Sequence, residues 1–253
     1  MTQHDCAHQT ATGLRKLGIL PGHTILVHSS FRSLGPVPGG IETVIRGLLE
    51  AIGPDGTLVM PALSWALRPP DAFDVMHTPV NVGAVPEYFR TRAGTRRSVH
   101  PTHSVCAVGR RTSELLDAHA LDSTPCGPNS PFRKLAETGG TIVMLGCGLE
   151  PNTTMHALEE YVEPPYLFGP SVTFTITDES GRTYRKQYRT HGFDGVAQRY
   201  ERIAELDSGA FVSRGKVLEA DTYVIDAPLL KGAVLEKLRR DPYCFVETVT
   251  RGE

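Results

Sequence analysis

A strand–loop–helix–strand unit near the N-terminus restricts the fold of this chain more than any other feature. Thr24-Ile-Leu-Val27 is a short apolar run that reads as a buried strand. Loop residues follow in Gly35-Pro-Val-Pro-Gly-Gly40, after which Ile41, Val44, Ile45, Leu48, Leu49 and Ile52 recur at helical spacing. Gly53-Pro54-Asp55-Gly56 stops that helix, and Thr57-Leu-Val-Met60 is a second buried strand. Two apolar strands joined through a helix favour a parallel pair with a right-handed crossover. In open α/β sheets, ligands bind at the carboxyl ends of such strands.

The remaining pattern extends this unit. Residues 11–19 read as a helix broken at Pro21-Gly22, and residues 61–82 as a long proline-rich loop of the kind that often carries function. A helix is expected over 85–91, an alternating strand over 104–108 and a helix over 112–119. Ser130 and Pro131 mark the start of a short helix ending at Glu137, with Ser130 as N-cap. Gly139-Gly140 leads into a third buried strand, Thr141–Leu145. Residues 171–177 and 183–188 flank Asp178-Glu-Ser-Gly181 and read as a hairpin. A helix near 195–207, a strand near 217–225 and a last helix at about 227–239, capped by Asp226, complete the expectation. All of this describes one mixed α/β domain spanning 1–253, with the 61–82 loop and the 171–188 hairpin as elaborations.

Composition excludes several classes. Lys plus Arg number 26 and Asp plus Glu 28, a formal charge of −2, which argues against nucleic acid as a partner. No apolar run approaches the roughly 18 residues of a membrane span. The polar start, Met1-Thr-Gln-His-Asp-Cys-Ala-His8, lacks the pattern of a signal peptide. Five cysteines, at positions 6, 106, 126, 147 and 244, form no C-x-x-C pair. An odd, scattered set fits a reduced cytoplasmic setting, without a disulfide framework or a cysteine metal site.

The chemistry concentrates after the third strand. Leu145-Gly-Cys-Gly leads into a helix opened by Asn152, Thr153 and Thr154, with His156 in its first turn. Glu159 and Glu160 follow three and four residues on, which places carboxylates on the histidine's helix face. A histidine at a strand's open end, beside carboxylates and exposed helix-start N–H groups, suits a base for deprotonating a nucleophile. The bland alternative is a helix-start residue that happens to be histidine. At the end of the first strand, His28-Ser-Ser-Phe-Arg-Ser33 runs into glycines 35, 39 and 40. It reads either as a pocket for a phosphorylated cofactor at a helix start, or as turn-forming glycines with serine caps.

Other histidines and cysteines are weaker candidates. His100 and His103 have metal-like spacing, but Pro101 argues against the helix that spacing needs, so a hydrogen-bonding loop wall is the better reading. Cys147 is nine residues before His156 and invites a Cys–His mechanism, yet nothing beyond that histidine suggests a lowered thiol pKa, and a small side chain between glycines is the better reading. His191 follows a strand and matters only if the hairpin folds over the first site. His4, His8, His23, His77 and His119 carry no signal.

Taken together, Val27-His-Ser-Ser-Phe-Arg-Ser33, Gly56-Thr-Leu-Val-Met-Pro61, Arg97-Ser-Val-His-Pro101, Ser130-Pro131 and Asn152-Thr-Thr-Met-His-Ala-Leu-Glu159 resemble the aminoglycoside 3-N-acetyltransferase family. The likeness runs over most of residues 12–245, and N-T-x-x-H-x-x-E is its most specific piece. The resemblance implies an α/β fold with a central mixed sheet flanked by helices, distinct from the general N-acetyltransferase superfamily. It implies transfer of acetyl from acetyl-CoA to the 3-amino group of 2-deoxystreptamine, with His156 as base and Glu159 as its partner. The thioester oxygen of such a transfer needs donors, for which Thr153 and the backbone N–H groups of the Gly146–Gly148 loop are both candidates. The resemblance sets the 28–40 loop, with His28, Ser29, Ser30, Phe31, Arg32, Ser33, Gly35, Gly39 and Gly40, against the coenzyme, and Ser98, His100 and Ser104 are expected to join the cofactor-binding set. An acidic wall from Asp71, Asp74, Glu160, Glu163 and Asp194, with His191, would meet a cationic acceptor. No metal is implied. A homodimer stays open, as does the acceptor: an aminoglycoside, another amine, or none if the chain only binds CoA.

Overall fold

The computed structural model describes residues 2–206 and 209–249. Helix α1 (Gln3–Lys16) precedes β1 (Thr24–Ser29), α2 (Gly40–Ile52) and β2 (Thr57–Pro61). Then come β3 (Phe73–Asp74), α3 (Ala84–Thr91), β4 (Arg96–Arg97), β5 (Val105–Gly109), α4 (Thr112–Leu116) and α5 (Pro131–Glu137). Strand β6 (Thr141–Leu145), α6 (Thr154–Glu159), β7 (Phe168–Thr177), β8 (Thr183–His191) and β9 (Val196–Gln198) follow. Strands β10 (Val212–Val217) and β11 (Ala220–Asp226), α7 (Ala227–Arg240) and β12 (Val246–Thr248) end the described chain.

The main sheet has seven strands in the order β10-β11-β6-β1-β2-β5-β4. The central β1 pairs in parallel with β2 and with β6, while β11, β10, β5 and β4 join antiparallel. This is the expected mixed sheet with a parallel centre. Both faces are buried. Ile25 and Val27 of β1 pack with α1 and α2 residues such as Leu14 and Leu48, whereas Leu26 packs on the other side with Phe132, Met155 and Leu230. Strand geometry sends successive side chains to opposite faces, so an uninterrupted apolar run is what a strand covered on both faces requires.

The parallel centre positions the site. Ser29 is paired with Leu145, so the carboxyl ends of β1 and β6 lie side by side. The loop leaving β6 therefore starts beside the loop leaving β1. Gly146 has φ of +72°, and a Cβ there would lie 2.1 Å from Ser33 Oγ. The same hydroxyl donates to Gly146 O at 2.8 Å, tying the two loops together. A side chain at position 146 would disrupt this closure.

Several boundaries depart from expectation. Helix α1 starts at Gln3 rather than near 11, because Thr2 and Asp5 form a reciprocal capping box. The 195–207 helix is replaced by β9 and a 3-10 turn over Tyr200–Glu205, and its last residue, 207, lies outside the described residues. The strand near 217–225 is the second arm of a hairpin whose first arm, β10, the pattern did not reveal. The 112–119 helix stops at Leu116. Ser130 occupies the N-cap position of α5, but its hydroxyl makes no capping bond. The 171–188 hairpin is longer than expected, over β7 and β8, and β3 from the 61–82 loop adds to it in parallel.

Candidate active site

Helix α6 is short, and its inward face carries the chemistry. Glu159 is fully buried, and the His156 side chain is 16% exposed. His156 Nδ1 lies 3.5 Å from Glu159 Oε2. The hydroxyl of Tyr200 is 2.8 Å from His156 Nδ1 and donates to Glu159 Oε2 at 2.7 Å. Tyr166 donates to the other carboxylate oxygen at 2.8 Å. Phe193, His191 and His103 surround the imidazole, with ring centroids 5.1, 5.2 and 6.1 Å away. The Phe193 backbone sits at φ +54°, a conformation rare for a bulky residue.

His156 opens on a cleft of about 540 Å³. The β1 end contributes His28 and Ser29, the β2 end Pro61 and Leu63, and the loop after β6 Cys147, Glu150, Asn152 and Thr153. Trp65, Val82, Pro86, Gln198 and Tyr200 complete the wall. Three of these residues hold polar atoms without hydrogen-bond partners: His28 Nε2, Ser29 Oγ and Asn152 Nδ2. Buried polar groups are normally paired, so such orphans in a cleft wall point to polar contacts supplied by a ligand. Burial holds the His28 imidazole at about 3, so it is neutral at ordinary pH. Burial likewise pushes the Cys147 thiol up to about 12, the wrong direction for a thiolate nucleophile.

The expected site residues divide sharply. His156, Glu159, Thr153, His28 and Ser29 come together. Ser30, Phe31, Arg32 and Ser33 form the adjoining turn, where Ser33 braces the loops and Arg32 is exposed. Gly35 packs beneath Glu219, while Gly39 and Gly40 start α2. Ser98, His100 and Ser104 do not reach the cleft. Ser98 accepts from Val105 N, His100 Nδ1 accepts from the backbone of Thr102 and His103, and Ser104 donates to Ala62 O. These contacts hold them inside the protein, where His100 Nε2 is left without a hydrogen-bond partner among the described residues.

The acidic wall is not assembled along this cleft. Glu160, whose side chain is 2% exposed, accepts from Thr124, Cys126 N–H and His191. Asp74 caps a turn through Met76 and His77 N–H, and Glu163 pairs with Arg189. Asp71 and Asp194 are exposed and outside the lining. His191 does fold over the site, as the hairpin condition required, but its Nε2 serves Glu160.

Comparison with known proteins gives the family of this chain. The aminoglycoside 3-N-acetyltransferase profile matches residues 26–238. The chain belongs to this family. It is 33% identical to aminoglycoside N(3)-acetyltransferase IV of Salmonella sp. over 92% of this chain and 87% of that protein. Its fold superposes on aminoglycoside acetyltransferase AAC(3)-IVa, a histidine-to-alanine variant in complex with gentamicin, with TM-score 0.81 and 31% identity over 93% and 89% of the two chains. It matches AAC-IIIb bound to CoASH with TM-score 0.81 and 25% identity over 95% and 97%. In this acetyltransferase, sequence reasoning missed Tyr166, Phe193 and Tyr200. None has a short-range spacing to His156, and each arrives from a separate loop or turn. It also missed His119, which stacks on His100 with centroids 5.1 Å apart.

Proposed function

We propose that this chain transfers the acetyl group of acetyl-CoA to the 3-amino group of the 2-deoxystreptamine ring of an aminoglycoside, with His156 as general base in a ternary complex. The observation that carries this reading is a largely buried imidazole, backed by a buried carboxylate, opening on a cleft with orphaned polar atoms. A protonated amine has no lone pair and cannot attack a thioester, so the amine attacks in its neutral form, and a neutral imidazole takes the proton that its nitrogen sheds on bonding to the acetyl carbon. The buried Glu159 carboxylate favours the imidazolium that forms. Negative charge on the thioester oxygen needs fixed donors, for which the unpartnered Asn152 Nδ2, Thr153 and the backbone N–H groups of the Gly146–Gly148 loop are the candidates.

Direct transfer needs no acyl-enzyme, which agrees with the raised Cys147 thiol. The test is steady-state kinetics of His156→Ala. Turnover should fall by about two orders of magnitude or more, with little change in acetyl-CoA affinity. Near-wild-type turnover would end the mechanism. A second reading keeps the chemistry but changes the acceptor to another amine. It draws on one observation: Glu150 is the only carboxylate among the described residues lining the cleft. A panel of aminoglycosides and simple amines, each assayed with acetyl-CoA, separates the two.

A further inference from the structure

We infer that Tyr200 is a positioning residue for the base, a hydroxyl bridge between His156 and Glu159 that determines which imidazole nitrogen carries the proton. The direct distance from His156 Nδ1 to Glu159 Oε2, 3.5 Å, is too long for a good hydrogen bond. The Tyr200 hydroxyl fills the interval, 2.8 Å from the nitrogen and 2.7 Å from the oxygen. Glu159 thus receives two phenols, Tyr166 on Oε1 and Tyr200 on Oε2.

The protons can be counted. A phenol has one proton to give. Burial first, and the Glu159 carboxylate second, hold the Tyr200 phenol well above its ordinary value, so it keeps that proton. The proton goes to Glu159. Toward His156 the hydroxyl can then only accept, which requires Nδ1–H. The lone pair is left on Nε2, which makes no hydrogen bond among the described residues. The nitrogen that faces the cleft is therefore the one able to take a proton. In the transfer step the amine lone pair bonds to the acetyl carbon while a proton leaves the acceptor nitrogen and forms a new N–H bond at Nε2. The tetrahedral adduct then breaks its C–S bond, and the departing CoA thiolate takes the proton back from Nε2, which restores the neutral ring. The Nδ1–H and the phenol O–H stay in place and connect the imidazolium to the carboxylate.

Without the hydroxyl, Nδ1–H loses its one acceptor at good hydrogen-bond distance, since Glu159 Oε2 is 3.5 Å away. Leaving a buried donor unpaired is costly, so the ring shifts toward the Nε2–H form, which presents a donor where a base is needed. Tyr200→Phe removes one oxygen and keeps the ring.

The inference rests on the acetyl-transfer reading for its kinetic consequence only, because the tautomer can be observed without substrate. The experiment is 15N NMR of the His156 imidazole in ligand-free wild type, Tyr200→Phe and Tyr166→Phe. The expected result is Nδ1–H in wild type and in Tyr166→Phe, with the Nε2–H form dominant in Tyr200→Phe. In parallel, Tyr200→Phe should lower kcat about 10- to 100-fold, with the acetyl-CoA KM changed less than about twofold. An Nε2–H ring in wild type overturns the inference even if the variant fails to fold. So does an unchanged tautomer in Tyr200→Phe, or an equal shift in Tyr166→Phe. A wild-type protein inactive on every amine tested, yet showing the expected tautomers, refutes the acetyl-transfer reading and leaves the bridge standing.

Discussion

Position 160 shows how neighbouring carboxylates can serve different ends. Glu159 and Glu160 are adjacent, yet one backs the base and the other clamps the hairpin. Glu160 holds Thr124, Cys126 N–H and His191 at 2.6, 2.7 and 2.8 Å. Glu160→Ala should leave those donors unpaired and cost about 3 kcal/mol, read by urea denaturation. Its effect on KM for a cationic acceptor should be no larger than for acetyl-CoA. A selective rise in acceptor KM with unchanged stability would restore Glu160 to the acceptor site. Cys147→Ala should stay active, and mass spectrometry should find no acetyl adduct when enzyme and acetyl-CoA are mixed without acceptor. At this scale the sequence is legible only where spacing is short. His156 and Glu159 are three apart on one helix, a relation that local geometry dictates. Tyr200 reaches the same pair through a 3-10 turn that nothing in the local pattern announces. Carboxylates such as Asp74 and Glu160 carry charge in sequence, but only their partners reveal whether that charge is already spent.

Among the elements, the 61–82 loop is the one whose order decides the cleft. Its anchor is Arg97 on β4, buried without a carboxylate partner among the described residues. Its guanidinium donates to Ala62 O, Ser64 Oγ, Ser104 Oγ and Thr78 O, and lies over the Phe73 ring at 4.9 Å. Burial lowers it to about 10, so it remains charged at neutral pH. A lysine cannot reach so many acceptors from one stem. Arg97→Lys should therefore cost about 2 kcal/mol in stability, measured by thermal or urea unfolding. Trp65, the single tryptophan, is 54% exposed in the cleft wall, so its fluorescence should respond to added CoA. That response should need several-fold more CoA in Arg97→Lys if the anchor orders the loop, and the same concentration if it does not. The parallel centre of the sheet was readable because β1, β2 and β6 each carry a short apolar run that follows a glycine-containing stop. The strands β4 and β10 were not, since Arg96-Arg97 and Val212–Val217 hold polar, partly exposed residues. They are strands by virtue of the neighbour they pair with.

For the whole molecule, the distinctive feature is a set of neutral histidines inside the fold. His28, His100, His103 and His119 are all buried, and burial lowers each below the ordinary imidazole range, to about 3 for His28 and His119. Their contacts need the neutral ring: His100 Nδ1 accepts two backbone N–H bonds and stacks on His119. Above an unfolded value near 6.5, both folded and unfolded chains carry these rings uncharged, and stability does not depend on them through pH. Below it, the unfolded chain binds protons that the folded one refuses, so stability falls as pH falls, down to the folded values. Each ring costs about 1.4 kcal/mol for the first unit below 6.5, or roughly 5 to 6 kcal/mol for the four at pH near 5.5. That is a large share of the usual stability of a domain. Glu160 and Asp122, raised by burial, act in the opposite sense, since their folded forms take up protons first as pH falls. Histidines titrate earlier, so they should govern the onset. The midpoint of urea unfolding is expected to hold steady from about pH 7 to 8 and drop steeply between about pH 6.5 and 5. Replacing His119 with Gln should lower stability at pH 7.5, because the stack and the Ser98 contact are lost, yet flatten the acid slope by about one proton. A slope unchanged by that substitution would mean that the interior histidines are not what makes the fold sensitive to acid.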